Sequence, residues 1–233
     1  MIIFDVYFRK WGILMLTYKI HLIRTGSTSA NPWKRYVGQS DIPLCDKGRE
    51  ALEQLHQEFT YPPVQAVYTS PLSRCIETAD ILYPDYQPLV VEGLKDMNLG
   101  AFEGKSFDEL RGEEAFSRWL ADSFKNTPPG GEKTEDFTAR VVAALDGILR
   151  QMMEQKTQSA AIITHGGVVM SLMAAIALPR LPLHQWAANN GCGYTLLTSA
   201  QMWMRDRSAE VFSFIPDQSI EDDMGMYGLY FNE

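Results

Sequence analysis

Four residues, Arg24, Arg74, Asp96 and His165, each stand at or just beyond the end of a short apolar run, and their types together suit oxyanion chemistry. Two guanidinium groups at one pocket match phosphate or carboxylate, because the planar fork fits either geometry and stays charged at any relevant pH. Ser70-Pro71 before Arg74 and Gly166-Gly167 after His165 read as helix starts, which add backbone N–H donors and positive dipole ends. Phosphate is the better match. A carboxyl such as Asp96 can give a proton to a leaving alkoxide, and a histidine such as His165 can stabilise a group in transfer. Taken singly, a strand-end arginine is usually a surface ion pair, and Asp96 reads as a turn residue. The joint pattern is more specific than any member.

For these residues to meet, the elements must deliver them to one edge. Tyr18 to Ile23 reads as a strand that breaks off at Arg24-Thr25-Gly26. Val64 to Thr69 and Leu89 to Val91 are further strands, with Asp96 just beyond the latter. Ala160 to Ile163 is continuously apolar, as expected of a strand covered on both faces, and ends at Thr164-His165. Tyr194 to Thr198 and Glu210 to Ile215 complete the set.

Between the strands, Asp46 is a good N-cap for a helix through about Phe59, with Ala51, Leu52, Leu55 and Phe59 on one face. Ser70 as cap and Pro71 at the first helical position start the next helix, placing Arg74 in its first turn. Phe137, Val141, Leu145, Ile148 and Met152 form the buried stripe of a long helix, with Glu135 and Asp136 where the dipole favours acids. A last helix runs from Val168 to about Ala177. Strands alternating with helices imply an α/β three-layer sandwich, a mostly parallel sheet with helices on both faces. Ligands in such sheets sit beyond the carboxyl ends of strands.

Two stretches depart from the alternation. Gly26 to Cys45 is a loop too long to be a plain connection. Residues 100–131 break into short amphipathic pieces ending in Pro128-Pro129-Gly130-Gly131, which predicts a mainly helical insertion over the active-site edge. Phe116, Trp119 and Phe124 in it would either line an apolar pocket or pack on the sheet, and packing is the ordinary fate of such residues.

The 233 residues, 45% apolar, fit one domain with an extension at 1–16, the insertion at 100–131 and a tail at 216–233. A net charge of -8 argues against nucleic acid and anionic membranes as partners, although a local arginine pair overrules the global field for a small anion. Cys45, Cys75 and Cys192 lie in no metal or redox spacing and read as reduced, buried thiols, with no metal site. Met1 to Met15 is apolar but interrupted by Asp5, Arg9 and Lys10, which leaves no stretch of signal or spanning length. A cytoplasmic protein without a cofactor is expected, with its oligomeric state open.

The motifs fall in a recognisable order. Leu22-Ile23-Arg24-Thr25-Gly26-Ser27-Thr28 with Asn31, then Arg35-Tyr36-Val37-Gly38 with Asp41-Ile42-Pro43-Leu44 and Gly48, open it. Thr69-Ser70-Pro71-Leu72-Ser73-Arg74 with Thr78-Ala79 and Leu94-Lys95-Asp96 with Gly100 and Phe102-Glu103-Gly104 continue it. Pro129-Gly130-Gly131-Glu132 and Thr164-His165-Gly166-Gly167 close it. This series, from about Lys19 to Ser199, resembles the histidine phosphatase superfamily, the phosphoglycerate mutase-like group, and its phosphatase branch in particular. The resemblance implies a phosphoglycerate mutase-like fold and phosphomonoester hydrolysis, with a small phosphorylated molecule or inorganic phosphate as partner. It implies that Arg24, Asn31, Arg74 and His165 hold the phosphoryl group and that Asp96 is the general acid, where the family usually has glutamate.

It also implies that Thr25 stands where the family has the histidine that attacks phosphorus. Imidazole is a nucleophile at neutral pH and a tolerable leaving group, whereas a threonine hydroxyl is neither without an adjacent base. His21 is four residues upstream, about 13 Å away along a strand, and His56 and His184 belong to no pocket motif. Two readings stay open. One is a hydrolase weak or altered in mechanism, in which Asp96 or His165 activates water; the other is a non-catalytic protein that binds a phosphorylated ligand. A phosphomutase is weaker than either, since it needs a phosphohistidine even more.

Overall fold

The computed structural model describes residues 16–31 and 35–216. Its frame is a seven-stranded sheet. The strands are β1 (Thr17–Arg24), β2 (Ala66–Thr69), β3 (Leu89–Val90), β4 (Ser159–Thr164), β5 (Ala177–Leu178), β6 (Gly193–Ser199) and β7 (Ala209–Ile215), in the order β3-β2-β4-β1-β6-β7-β5. The helices are α1 (Asp46–Glu58), α2 (Ser73–Leu82), α3 (Phe107–Leu110), α4 (Glu114–Ala121), α5 (Thr134–Gln155), α6 (Gly166–Ile176) and α7 (Ala200–Asp206). Among the described residues, no helix is long and apolar enough to cross a membrane.

Alternation along the central strands builds two cores. Tyr18, Ile20 and Leu22 of β1 and Ala160 and Ile162 of β4 pack with the α5 stripe of Phe137, Val141, Leu145, Ile148 and Met152 and with α6. On the other face Ile23, Val67, Ala161 and Ile163 meet Leu52 of α1 and Cys75, Ala79 and Leu82 of α2. Each large aliphatic side chain so buried contributes about 1.5–3 kcal/mol. These two layers hold the middle of the sheet rigid, so the ends of its strands are fixed relative to one another.

Four of the six strand pairings are parallel, and β6 runs antiparallel to both β1 and β7. The link from β6 to β7, residues 200–208, contains only the short α7. A parallel crossover takes about a dozen residues or more, so this link returns the chain antiparallel. The parallel register places Thr69 beside Ile163 and Arg24 beside Thr164, so three strands end nearly level.

Local differences from the sequence reading concern helix starts. Asp46 is the first helical residue and not the cap; Cys45 takes that place, its N–H held by Ser27 O at 3.1 Å. The helix after Ser70-Pro71 begins only at Ser73, with Leu72 as its cap, because Asp41 accepts from both the Ser73 N–H and the Ser73 hydroxyl. Arg74 still lies in the first turn. α6 starts two residues earlier than its apolar pattern suggested, and β5 and α7 had no legible signal.

The insertion is helical as expected, with a 3-10 turn at Gly100–Phe102 followed by α3 and α4. It has a small core of its own, in which Phe116 is fully buried and packs edge-on against Tyr36 and Phe102, both at 5.3 Å. Trp119 joins that cluster, whereas Phe124 is exposed. Apart from Leu16 and Pro216, the extension at 1–16 and the tail at 216–233 lie outside the described residues.

Candidate active site

The end of β1 is locked from both sides. The Thr25 N–H continues the ladder to Thr164 O at 2.7 Å, while the Arg24 N–H donates to Cys192 O and the Arg24 carbonyl accepts from Gly191. The Arg24 side chain therefore leaves a fixed backbone. One of its terminal nitrogens donates to Ala188 O at 2.6 Å, and its Nε lies so close to the start of α6 that a Cβ on Gly166 would sit 3.2 Å away. Thr25 is buried. Its hydroxyl donates to Arg74 O at 2.8 Å and lies 3.1 Å from the Thr78 hydroxyl, which itself donates to Arg74 O and accepts from the Gly26 N–H.

Arg74 has a backbone that serves Thr25 and a side chain that serves His165. Its Nε donates to His165 Nδ1 at 3.2 Å, and its two terminal nitrogens donate to Ser40 O and Gly38 O at 2.8 and 2.7 Å. Because His165 Nδ1 accepts, the ring proton belongs on Nε2, which lies 2.8 Å from Ser70 Oγ and donates to it. That assignment keeps Ser70 from being deprotonated by His165. Burial, then the charges of Arg74 and Arg140, hold the His165 pKa well below the ordinary histidine range, so the ring is neutral. The Cys75 thiol lies 3.5 Å from Nε2, and burial pushes it up to about 12, far from thiolate character.

Asp96 comes after a 3-10 turn, Glu92–Leu94, whose exit is clamped by one residue of α5. Arg140 donates to the carbonyls of Gly93, Lys95 and Asp96 and is itself held by a two-point pair to Glu132, at 2.9 and 2.8 Å. Gln39 Nε2 also donates to Asp96 O. The carboxyl is thereby delivered against the start of α6, where a Cβ on Gly167 would lie 2.6 Å from Asp96 Oδ1. Burial, with repulsion from Glu103, outweighs the Met97 N–H and the Arg74 and Arg24 charges and raises Asp96 to about 6. A carboxyl in that range is partly protonated near neutrality and can act as an acid.

Arg24, Thr25, Arg74, Asp96 and His165 are thus gathered at the ends of β1 and β4 and the first turns of α2 and α6. Asn31 is not joined to them by any hydrogen bond among the described residues. It is exposed, and its amide oxygen accepts from the N–H and hydroxyl of Thr28, closing a local turn. Several supporting residues escaped the sequence reading. Ser70 looked like a helix cap, yet it partners His165. Arg140 sat unnoticed on a helix read only for its apolar stripe, and Glu103 looked like one member of a motif with no assigned task. His21, set aside as too distant, is held within the sheet by Thr195 and Ser159, and burial lowers it to about 4.

Comparison with known proteins bears on the family and the fold. The family model described as Histidine phosphatase superfamily (branch 1) matches residues 20–208. The adenosylcobalamin/alpha-ribazole phosphatase of Salmonella typhimurium is 28% identical over 182 residues, 75% of this chain and 87% of that protein. Phosphoglycerate mutase-like protein 4 of Arabidopsis thaliana is 31% identical over 163 residues, covering 66% of this chain and 69% of its own length. Among solved structures, the alpha-ribazole phosphatase from Shigella flexneri superposes with a TM-score of 0.70 at 26% identity, over 83% of this chain and 94% of its own. The match of fold, ordered motifs and family model leads to one conclusion: the chain belongs to the histidine phosphatase superfamily, branch 1.

Proposed function

We propose that this protein binds a small phosphomonoester or inorganic phosphate between Arg24, Arg74 and the start of α6, and that it does so without forming a phosphoenzyme. The observation that carries this reading is the state of Thr25. Its hydroxyl proton goes to a backbone carbonyl, and its other neighbours are the Thr78 hydroxyl and the Cys75 thiol, which burial keeps protonated, so no base is at hand to make it a nucleophile. The arginines are the stronger half of the site. A guanidinium has five N–H groups, and the bonds of Arg74 to His165, Ser40 and Gly38 use three of them. Two are left for an oxyanion.

A second reading, slow hydrolysis by direct attack of water, is favoured by Asp96. Its carboxyl, raised to about 6, is suited to proton transfer beside the phosphate. His165 is less suited, since both ring nitrogens are already engaged. The relatives include phosphatases and a mutase-like protein, which supports a phosphomonoester as the ligand class without selecting one member.

The full chain, titrated with inorganic phosphate, vanadate and sugar phosphates, is expected to show saturable thermal stabilisation. Intact mass after incubation with an aryl phosphate should show no added phosphoryl group. Absence of any shift with all three ligands would defeat the binding reading, and a phosphorylated chain would defeat the claim about Thr25.

A further inference from the structure

We propose that Glu103 is a positioning residue for the oxyanion site, acting on Arg74 through the turn formed by Gly38, Gln39 and Ser40. This inference deepens the phosphate-binding reading and rests on it for its functional consequence. The carboxylate of Glu103 is unusually well used. It accepts from the Gly38 N–H at 3.1 Å, the Gln39 N–H at 2.8 Å, the Ser40 hydroxyl at 2.9 Å and the Leu99 N–H at 3.4 Å. Consecutive backbone N–H groups converging on one anion form a nest, and here the anion is supplied by the chain itself.

The same turn looks the other way with its carbonyls. Gly38 O and Ser40 O accept from the two terminal nitrogens of Arg74, so the turn has N–H groups on a carboxylate and C=O groups on a guanidinium. A hydrogen-bonded peptide unit set between opposite charges is polarised by both, which strengthens each bond in the chain. The Glu103 charge therefore fixes the Arg74 fork without touching it. Gln39 extends the reach of the turn to the opposite side of the site, its amide donating to Asp96 O at 3.0 Å.

Steric fit makes the turn specific. A Cβ on Gly38 would lie 1.9 Å from Met97 O, so only glycine allows the backbone to sit between the Asp96 segment and Arg74. Glu103 itself is placed by the 3-10 turn Gly100–Phe102, whose Phe102 is fully buried in the core of the insertion. The residue of the insertion that binds the turn at Gly38 to Ser40 is thus also the residue that aims Arg74. This gives the Phe102-Glu103-Gly104 motif a task apart from packing.

The test is Glu103→Gln in the full chain, with Glu109→Gln as a control in the same insertion, since Glu109 closes the exposed capping box of α3 and pairs with the exposed Arg35 but makes no bond to the turn at Gly38 to Ser40. Two readouts are needed. The first is the Arg74 Nε–H resonance, assigned by its loss in Arg74→Lys, which reports the fork whether or not a ligand binds. It is expected to shift and exchange faster in Glu103→Gln and to stay put in Glu109→Gln. The second is inorganic phosphate affinity by calorimetry, expected to weaken by about tenfold, the size of one charge-assisted hydrogen bond lost. An unmoved Arg74 resonance overturns the positioning role. A moved resonance with undiminished phosphate affinity overturns its link to the oxyanion, and a wild-type chain that binds no phosphate counts against the functional reading while the resonance still judges Glu103.

Discussion

The carboxyl ends of β1 and β4 lie side by side in register, Arg24 opposite Thr164, yet the residue that follows each strand meets a different fate. His165 keeps an imidazole, neutral and held at both nitrogens by Arg74 and Ser70. Thr25 presents a hydroxyl whose proton is spent on a carbonyl. Both side chains are almost fully enclosed, at 1% and 6% exposure, so enclosure alone does not separate them. Arg74 touches both, its carbonyl accepting from Thr25 and its guanidinium donating to His165. The difference teaches that the scaffold of the site is built by strand register, α2 and the turn at Gly38 to Ser40, and none of these depends on the chemistry at position 25.

If that is so, placing an imidazole at position 25 should supply a nucleophile to a site already built. Thr25→His is expected to raise turnover of a generic aryl phosphate on the order of 10³-fold, a part of the factor by which a nucleophile exceeds positioning and electrostatics. The larger ring must displace the contacts to Arg74 O and Thr78, at a cost of about 1–3 kcal/mol in stability. Steady-state phosphate release with an intact-mass search for the phosphohistidine measures the gain. A folded Thr25→His protein with no more activity than the parent would show that the β1 end differs from an active site by more than one side chain.

Arg74→Ala attacks the element that the two strand ends share. Three acceptors, Gly38 O, Ser40 O and His165 Nδ1, lose their donors together, and the last is fully buried. A loss of about 3 kcal/mol or more in urea unfolding is expected, since unsatisfied buried groups cost about 1–3 kcal/mol each. Phosphate affinity should fall by roughly 100-fold with the loss of a bidentate charged donor. Thr25 should be spared, because the donor to the Arg74 carbonyl is unaffected by truncating the side chain. Equal stability of the variant and the parent would mean that water replaces the guanidinium at no cost.

The same contrast explains what was legible in the sequence. Strand ends bearing Arg24, Thr25 and His165 were readable because period-two burial and Gly-rich breaks are local signals, and they survive into β1 and β4. The long helix was readable for the same reason, its stripe of Phe137 to Met152 being set by a single period. Residues whose task depends on a distant partner were not. Ser70 carried a capping signal that Asp41 overrides by holding Ser73, and Arg140 does its work on carbonyls more than 40 positions away. The antiparallel turn of β6 was hidden because strand direction depends on connection geometry, which the apolar pattern does not encode.

The smallest effect, and the most diagnostic for the water-attack reading, is expected at Asp96. In the fold its carboxyl titrates at about 6, whereas an unfolded aspartate titrates near 3.9. Between those values the native state holds a proton that the unfolded state has released, so stability falls as pH rises through that window and stays lowered above it. Asp96→Asn removes this penalty while retaining an oxygen to accept the Met97 N–H at 3.0 Å. The variant should therefore be more stable than the parent by about 1–2 kcal/mol at pH 7.5, a figure kept small because partial exposure lets water screen the charge. The advantage should vanish below about pH 4, where both states of the parent are protonated. His21 and His165 act with the opposite sign, their lowered pKa values withdrawing stability as pH falls below about 6.5, but they do so equally in both proteins and cancel from the difference. Matched urea titrations at several pH values measure it. A difference that is flat across the range would place the Asp96 carboxyl in ordinary solvent, and would leave the site with an oxyanion cradle but no acid beside it.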